Sequence, residues 1–379
     1  MGAPFPYAVP EDVGLSSDDI WWLKERVYSR IVARHVIGAE ILVIKDRRIV
    51  LHQAMGWADR DELEPLERNS VFRLASMTKP LVGTAVLMLA DEGRLGLDDL
   101  VAEYLPSFDN ELSRTITVRQ LLIHRSGFVQ GGQPPGYSDR SSLREAVDVL
   151  GRTGPTFEPG ERFVYSNLNS EVLGALVTEV TGMPVESFLE NRILSPLGMA
   201  DTHPEFQPSA PWADRAVSSY RRWGAGPWER YWHPGREDVN PWFSPAGDML
   251  GTAFDYARFL SAWADPGQLE AGRLVSAASA RAALSDPEFA SGASPRARYF
   301  GMHWEIYSAS PAAGELPTFG HRGATGTLGM AIPEHGVIVV FLTNSQETEV
   351  VDEVIELTLR LFGGGRVRQS AGALAGHHG

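Results

Sequence analysis

Residues 76–89 read SMTKPLVGTAVLML, a short polar start followed by a run that is apolar on nearly every side. Pro80 fits a helix only in or near the first turn, so the helix begins close to Ser76. A helix that is apolar all round packs inside a protein rather than on its surface. The stretch therefore predicts a buried helix, near 78–92, with Ser76 at its start.

Ser76 and Lys79 form an S-x-x-K pattern at this helix start. Residues three apart lie on one helix face, which places the lysine amine beside the serine hydroxyl. A serine hydroxyl is a weak nucleophile unless a neighbouring base takes its proton. Burial and the positive end of the helix both favour the neutral amine, which makes Lys79 a candidate base. The only other lysines are Lys24 and Lys45, and the remaining basic positions hold arginine, which stays protonated and cannot act as a base.

Strand patterns occur at both ends of the chain, and helix patterns fill the middle. An amphipathic helix at 17–36 precedes an apolar hairpin with strands at 39–44 and 49–54. The later strands and the closing helix are predicted at 300–307, 318–321, 327–332, 337–343 and 349–362. The helices between the two ends are predicted at 78–92, 117–123, 142–151, 168–180, 184–192 and 253–264.

The two ends therefore build one antiparallel sheet with a helix each, and the middle is a helical insertion. This arrangement is an α+β fold of two domains. The predicted sheet domain is discontinuous and covers 1–68 and 290–365, and the helical domain covers 69–289. Residues 366–379, rich in Gly, Ala and Arg, are predicted to form a flexible tail.

The composition bounds the kind of partner. The chain has 34 Lys and Arg against 48 Asp and Glu, a net charge of −14 that repels phosphate backbones and anionic lipids, so no nucleic-acid or membrane partner is expected. With no cysteine and no His and carboxylate residues at ligand spacing, neither a metal nor another cofactor is predicted. No apolar stretch is long enough to span a bilayer, and no signal-peptide pattern is present, so we expect a cytoplasmic location.

Two further short patterns carry groups suited to catalysis. Tyr165 and Asn167 form Y-x-N before a predicted helix, where the phenol could shuttle a proton and the amide could hold a substrate carbonyl. Residues 320–327, GHRGATGT, contain glycines that let a strand edge lie against a substrate. A backbone N–H in this stretch could complete an oxyanion hole with the N–H of Ser76.

In this order, the three patterns resemble the active-site motifs of the serine β-lactamase/penicillin-binding-protein superfamily, and in particular its β-lactamase-like carboxylesterases of the family VIII type. Residues 121–127, LLIHRSG, and 244–247, SPAG, are similar to further segments of that superfamily, so the resemblance spans nearly the whole chain. It implies a β-lactamase/transpeptidase-like fold and an acyl-enzyme on Ser76. It also implies that Lys79 and Tyr165 are the general base and acid, and which of the two deprotonates Ser76 stays open.

The resemblance also assigns a substrate site. It implies an oxyanion hole made by the backbone N–H groups of Ser76 and Ala324, with Asn167 along the acyl side. Gly323 and His321 are expected among the substrate-binding residues, and His321 stands where the K-T-G motif of the superfamily has lysine. Histidine is mostly neutral at pH 7 and demands a substrate carboxylate less than lysine does, which favours esters over β-lactams. D-peptidases share the H-x-G pattern.

Arg322 departs most clearly from the pattern, because the family has a small hydroxyl residue at this position. Strand alternation places its side chain on the face opposite His321 and Gly323, so we expect a structural role. An Arg322 bent into the site would instead provide an anchor for a substrate carboxylate. His124 is expected to be a buried hydrogen-bonding residue rather than a catalyst.

Trp242 and Phe243 lie in an aromatic-rich segment, 204–247, and are expected to wall a pocket for an apolar acyl or alcohol group. These features favour a serine carboxylesterase whose partner is a small-molecule ester. The alternatives are a D-amino-acid peptidase or DD-carboxypeptidase and a weak class C-like β-lactamase. A non-catalytic β-lactam-binding sensor is less favoured, because no catalytic residue is missing.

Overall fold

The computed structural model describes residues 5–236, 241–264, 273–285, 288–291, 298–307 and 315–363. Its strands are β1 (Gly38–Lys45), β2 (Arg48–Asp59), β3 (Glu64–Pro65), β4 (Phe72–Arg73), β5 (Ser219–Arg221), β6 (Glu229–Trp232), β7 (Leu250–Gly251), β8 (Glu288–Ser291), β9 (Arg298–Phe300), β10 (Glu305–Ile306), β11 (Phe319–Gly323), β12 (Thr327–Ile332) and β13 (Val337–Thr343). Its α-helices are α1 (Ser17–Val32), α2 (Lys79–Asp91), α3 (Val118–Leu122), α4 (Leu143–Thr153), α5 (Asn167–Thr181), α6 (Val185–Leu189), α7 (Ser195–Leu197), α8 (Ala253–Ala264), α9 (Ala277–Leu284) and α10 (Thr348–Phe362).

One antiparallel sheet of nine strands organises the molecule, in the order β3-β2-β1-β13-β12-β11-β10-β9-β8. Its centre joins the two ends of the chain, because β1 pairs with β13 in a register that sets Ile41 opposite Phe341. The early hairpin and the late strands thus form a single sheet. The predicted α+β fold, with an antiparallel sheet built from both ends, is confirmed.

The two faces of the sheet are covered by different helices. On one face, Ile41 and Val43 of β1 pack with Val27 of α1 and Val354 of α10. On the other face, Leu42 and its neighbours join the large core that contains the middle helices. This division follows from strand alternation, since successive side chains point to opposite faces.

Helix α2 lies inside that large core, and every residue from Lys79 to Leu89 is buried. Pro80 occupies the first turn, where it breaks no helical hydrogen bond. The buried helix predicted near 78–92 is therefore confirmed.

In the part of the chain that the structure describes, no single helix is long and apolar enough to cross a membrane. Helix α5 and the helical segment Val185–Leu197, which meet at a bend of 76°, reach that length and apolar character only when they are taken together.

Two predicted elements differ from the structure. The strand predicted at 300–307 is wrong, because β9 and β10 are separate short strands that pair with each other and set Phe300 opposite Glu305. The helix predicted at 184–192 is interrupted, since α6 gives way to a π-helical turn at Glu190–Leu194. The predicted tail, 366–379, lies outside the described residues, and so does the end of the predicted sheet domain at 365. The domain limits stay a prediction.

Candidate active site

Ser76 lies in a 3₁₀ turn, Ala75–Thr78, that leads directly into α2. The residue before it, Ala75, has a φ of 49°, in the left-handed region that residues with a side chain rarely adopt. The Leu74 N–H donates to the Met249 carbonyl at 2.8 Å and ties the chain down just before this bend. The backbone that presents the Ser76 hydroxyl is therefore held on both sides.

The side chains of Ser76 and Lys79 meet, as their spacing predicts. Lys79 Nζ lies 3.0 Å from Ser76 Oγ and donates to the Ala246 carbonyl at 2.7 Å. Lys79 is fully buried, and this burial lowers its pKa to about 7, against the opposing effect of the Glu171 carboxyl. Near neutral pH, a large share of Lys79 is thus an uncharged amine that can accept a proton from Ser76.

Tyr165 completes a cluster of three side chains. Its side chain is hydrogen-bonded to that of Ser76, and Lys79 Nζ lies 5.1 Å from the centre of its ring. Burial raises the pKa of Tyr165 above its ordinary value, and the bond to Ser76 acts in the other direction. The phenol keeps its proton at neutral pH, which suits a proton donor better than a base.

Two buried histidines support this cluster. His124 packs on Tyr165 with ring centres 4.7 Å apart, and its Nδ1 accepts from Asn169 Nδ2 at 2.9 Å. His303 stacks on His124 at 5.2 Å, and its Nδ1 donates to the Lys79 carbonyl at 3.0 Å. Burial lowers the pKa of His303 to about 3 and that of His124 well below its usual range. His124 is thus a neutral, buried hydrogen-bonding residue, as predicted.

His321 faces Tyr165, with ring centres 6.3 Å apart, and only 1% of it is exposed. Its Nδ1 donates to the Arg322 carbonyl at 2.7 Å. Burial lowers the pKa of His321 to about 4, although the Glu305 carboxylate opposes this effect. His321 is therefore uncharged at neutral pH, and its Nε2 has no hydrogen-bond partner among the residues that the structure describes.

The Arg322 side chain leaves the site on the opposite face of β11. Its Nε donates to Glu305 Oε2 at 2.8 Å, and its guanidinium also pairs with Asp352 of α10. Glu305 is itself buried, and the neighbouring arginines hold its pKa at about 2. The predicted structural role of Arg322 is confirmed, since both of its carboxylate partners belong to the protein.

Gly323 brings β11 against the chain just before Ser76. A Cβ atom at this position would lie 2.4 Å from the Leu74 carbonyl oxygen, so only glycine allows this approach. Thr327 Oγ1 donates to the same Leu74 carbonyl at 3.1 Å and fastens the two segments together. Ala324, the predicted second oxyanion donor, follows in the turn between β11 and β12 and is exposed. The contacts of Gly323 and Ala324 with substrate stay predictions.

The predicted acyl side begins at Asn167, the first residue of α5, which lies two residues after Tyr165 and is half-buried. Its N–H donates to Gln130 Oε1 at 2.9 Å, which ties the start of α5 to a neighbouring loop. Trp242 and Phe243 are also half-buried and immediately precede the segment whose Ala246 carbonyl binds Lys79. Both remain candidates for the apolar wall.

Comparison with known proteins places these residues in a family. Residues 24–361 match the family model described as Beta-lactamase. The chain belongs to the Beta-lactamase family. This β-lactamase-family protein falls in the serine β-lactamase/penicillin-binding-protein superfamily that its motifs resemble.

Two relatives of the β-lactamase-family protein show how far the likeness extends. Protein flp of Staphylococcus aureus is 29% identical over 237 residues, which cover 61% of this chain and 46% of that protein. The chain thus spans about half the length of this relative. Protein Rv1367c of Mycobacterium tuberculosis is 28% identical over 347 residues, 80% of this chain and 85% of that protein.

Solved structures share the β-lactamase/transpeptidase-like fold. EstCE1, a hydrolase with promiscuous acyltransferase activity, is 24% identical with a TM-score of 0.72, over 87% of this chain and 95% of that one. The octameric penicillin-binding protein homologue from Pyrococcus abyssi is 23% identical with a TM-score of 0.72, over 90% and 77% of the two chains. The D-amino acid amidase from Ochrobactrum anthropi SV3 is 25% identical with a TM-score of 0.73, over 90% and 98%.

The structure adds two residues of the β-lactamase-family site that the sequence analysis missed. Glu171 contributes a buried carboxyl whose charge acts on Lys79, and His303 holds the Lys79 carbonyl. A signal existed for Glu171, since it is the only charged residue among 168–177 of α5. No pattern around His303 pointed to its role.

Proposed function

We propose that this protein is a carboxylesterase that forms an acyl-enzyme on Ser76. The proposal is carried by the cluster in which the buried Lys79 Nζ lies 3.0 Å from Ser76 Oγ while the Tyr165 side chain is hydrogen-bonded to the same serine side chain. An amine and a phenol on one hydroxyl provide a proton acceptor and a proton donor for each half of an acyl transfer.

In the first half, Lys79 is the base and Tyr165 the acid. Ser76 Oγ attacks the ester carbonyl as its proton passes to the neutral Lys79 amine, and a tetrahedral oxyanion forms. The backbone N–H groups of Ser76 and Ala324 stabilise that oxyanion. When the C–O bond to the alcohol breaks, Tyr165 protonates the departing oxygen, and the Lys79 ammonium returns a proton to Tyr165. The assignment of Lys79 as base rests on its lowered pKa and on the raised pKa of Tyr165.

In the second half, water attacks the acyl carbonyl while the same pair takes its proton. The tetrahedral intermediate collapses, the acyl–Oγ bond breaks, and Ser76 Oγ recovers its proton. The carboxylic acid leaves, and both protein groups regain their starting protonation. No residue other than Ser76 is covalently modified.

The charges around β11 favour a neutral ester over a carboxylate-bearing substrate. His321 is uncharged near neutral pH, and the Arg322 guanidinium is engaged by Glu305 and Asp352 on the other face. Neither residue therefore offers a fixed cation to a substrate carboxylate. Trp242 and Phe243 would supply apolar area to an acyl or alcohol group.

The test compares the protein with Ser76→Ala on p-nitrophenyl butyrate, a chromogenic cephalosporin and a D-Ala-D-Ala peptide. We expect the protein to turn over the ester, to turn over the cephalosporin only weakly and not to turn over the peptide. Ser76→Ala should turn over none of the three. Peptide turnover without ester turnover would overturn the esterase assignment. Activity retained by Ser76→Ala would overturn the mechanism.

A D-amino-acid amidase is the second candidate, favoured by the likeness to the Ochrobactrum enzyme over 90% of this chain. Its chemistry would use the same Ser76, Lys79 and Tyr165, with an amine as the leaving group. D-phenylalanine amide, assayed beside p-nitrophenyl butyrate, separates the two. A kcat/KM that is higher on the amide than on the ester would favour the amidase hypothesis over the esterase hypothesis.

A further inference from the structure

Glu171 is a buried carboxyl on α5, one helical turn beyond Asn167, and only 7% of it is exposed. Both of its oxygens have partners. Oε1 accepts from Ser244 Oγ at 3.0 Å, and Oε2 accepts from the Tyr137 hydroxyl. A carboxyl is expensive to bury unless its oxygens are hydrogen-bonded, and the two donors offset part of the cost of a negative charge here.

A short path of hydrogen bonds leads from Glu171 to Lys79. Ser244 Oγ, which donates to Glu171, accepts from the Ala246 N–H at 3.3 Å. The Ala246 carbonyl then accepts from Lys79 Nζ at 2.7 Å. The carboxyl therefore fixes the turn that carries the second hydrogen-bond partner of Lys79.

The same turn is pressed directly against α5. A Cβ atom at Gly174 would lie 2.3 Å from Pro245 Cγ, a distance that no side chain could occupy. Gly174 and Glu171 lie three residues apart on one face of α5. Helix α5 therefore contacts the turn at two neighbouring residues: Gly174 packs against Pro245, and Glu171 is hydrogen-bonded to Ser244.

We propose that Glu171 is a positioning residue for Lys79: through Ser244 it holds the Ala246 carbonyl against the lysine amine, and its negative charge stabilises the ammonium that forms when Lys79 takes the proton of Ser76. This inference rests on the proposed acyl-enzyme chemistry for its kinetic consequences. Its effect on the protonation of Lys79 can be measured without any substrate.

The other described titratable groups around Glu171 and Lys79 do not reverse the direction in which the Glu171 charge shifts the pKa of Lys79. The three histidines near Lys79 are held neutral by burial, and Tyr165 and Tyr137 keep their protons. Burial raises the pKa of Glu171 and the hydrogen bonds from Tyr137 and Ser244 oppose this; Asp248 raises the pKa further, and Lys79 lowers it. The groups that face Lys79 or Glu171 are Tyr137, Tyr165, Asp248, His124, His303 and His321.

Glu171→Gln removes the charge and keeps the shape of the side chain. A carboxylate favours the ammonium form of a nearby lysine, so we expect its loss to lower the pKa of Lys79 by about one pH unit. Since only the neutral amine can act as base, the acid limb of kcat/KM moves to lower pH by the same amount. At the plateau, kcat falls about tenfold, because the ammonium in the transition state loses its partner.

The chain offers a direct measurement, because Lys24, Lys45 and Lys79 are its only lysines. We would label lysine Cε with ¹³C and follow the three signals by NMR from pH 5 to 10. The matched control is Glu179→Gln, the same change two turns further along α5, at a side chain that is 44% exposed and pairs with Arg144. We expect the Lys79 midpoint to fall in Glu171→Gln and to stay unchanged in Glu179→Gln.

The outcomes separate this inference from the proposed function. A Lys79 midpoint that is equal or higher in Glu171→Gln overturns the inference. A midpoint that falls while the acid limb stays in place supports the inference and contradicts Lys79 as the base. If Glu171→Gln does not fold, Ser244→Ala and Glu171→Asp take its place, since both break the hydrogen-bond path from Glu171 to the Ala246 carbonyl and keep the negative charge. Both variants should lower kcat about tenfold and leave the titration midpoint of Lys79 unchanged. An unchanged kcat in both variants overturns the inference.

Discussion

Gly323→Ala tests the claim that β11 must lie against the segment before Ser76. The added Cβ would lie 2.4 Å from the Leu74 carbonyl oxygen and 2.2 Å from Thr327 Oγ1. Real Cβ contacts essentially never fall below 3.0 Å, so the strand and the Leu74 backbone must separate by at least 3.0 − 2.4 = 0.6 Å. A rotation of the Thr327 side chain alone cannot relieve the clash, because its hydroxyl donates a hydrogen bond to the same Leu74 carbonyl at 3.1 Å.

A shift of this size next to Ser76 alters the geometry of the nucleophile and of the predicted oxyanion donor at Ala324. Displacements near 1 Å cost up to about 100-fold in rate, so we expect kcat/KM on p-nitrophenyl butyrate to fall by roughly 10- to 100-fold. Overpacking of this kind also costs about 1–3 kcal/mol of unfolding free energy, measurable by urea denaturation.

The matched control is Gly320→Ala on the same strand. Its Cβ would lie 2.1 Å from the Gly329 carbonyl oxygen, so the clash is directed at β12 and not at the Ser76 segment. We expect a similar loss of stability with a much smaller loss of activity. Equal losses of activity in the two variants, or a Gly323→Ala enzyme within twofold of the wild type, would refute the reasoning.

Three other changes test separate parts of the account. Because burial lowers the pKa of Lys79 to about 7 and only the neutral amine accepts a proton, kcat/KM should rise as pH increases through about 7; a profile flat from pH 5 to 8 would contradict this. Arg322→Met leaves the buried Glu305 with one cationic partner fewer and should cost about 3 kcal/mol in urea unfolding, while KM stays within about twofold. A large rise in KM would instead place Arg322 in the substrate site. Trp242→Ala should lower kcat/KM on p-nitrophenyl esters about tenfold through lost apolar contact, and an equal loss on acetyl and octanoyl esters would argue against a wall for the acyl chain.

The sequence predicts best where the signal is local. The buried helix behind Ser76 and the contact with Lys79 follow from spacing and from Pro80, all within a few residues. The outward direction of Arg322 follows from strand alternation, and its partners Glu305 and Asp352 agree with it. The strand patterns at both ends predict that the two ends share one antiparallel sheet, and the pairing of β1 with β13 agrees with this.

The errors and omissions have non-local causes. The predicted strand at 300–307 breaks because His303 turns inward with a φ of 61° and donates to the Lys79 carbonyl, more than 200 residues earlier in the chain. The role of Glu171 likewise depends on its hydrogen bond with Ser244, 73 residues later in the chain. No periodicity in either segment records such a contact, since it depends on how the helices pack around α2.

The central claim is that Ser76 carries the acyl group. Rapid acid quench of the protein mixed with p-nitrophenyl butyrate, followed by intact-mass and peptide mass spectrometry, measures this directly. We predict a butyryl group on the peptide that contains Ser76, absent in Ser76→Ala, and, where deacylation limits turnover, a burst of about one p-nitrophenol per protein. An adduct on another residue, or undiminished ester turnover in Ser76→Ala, would contradict it.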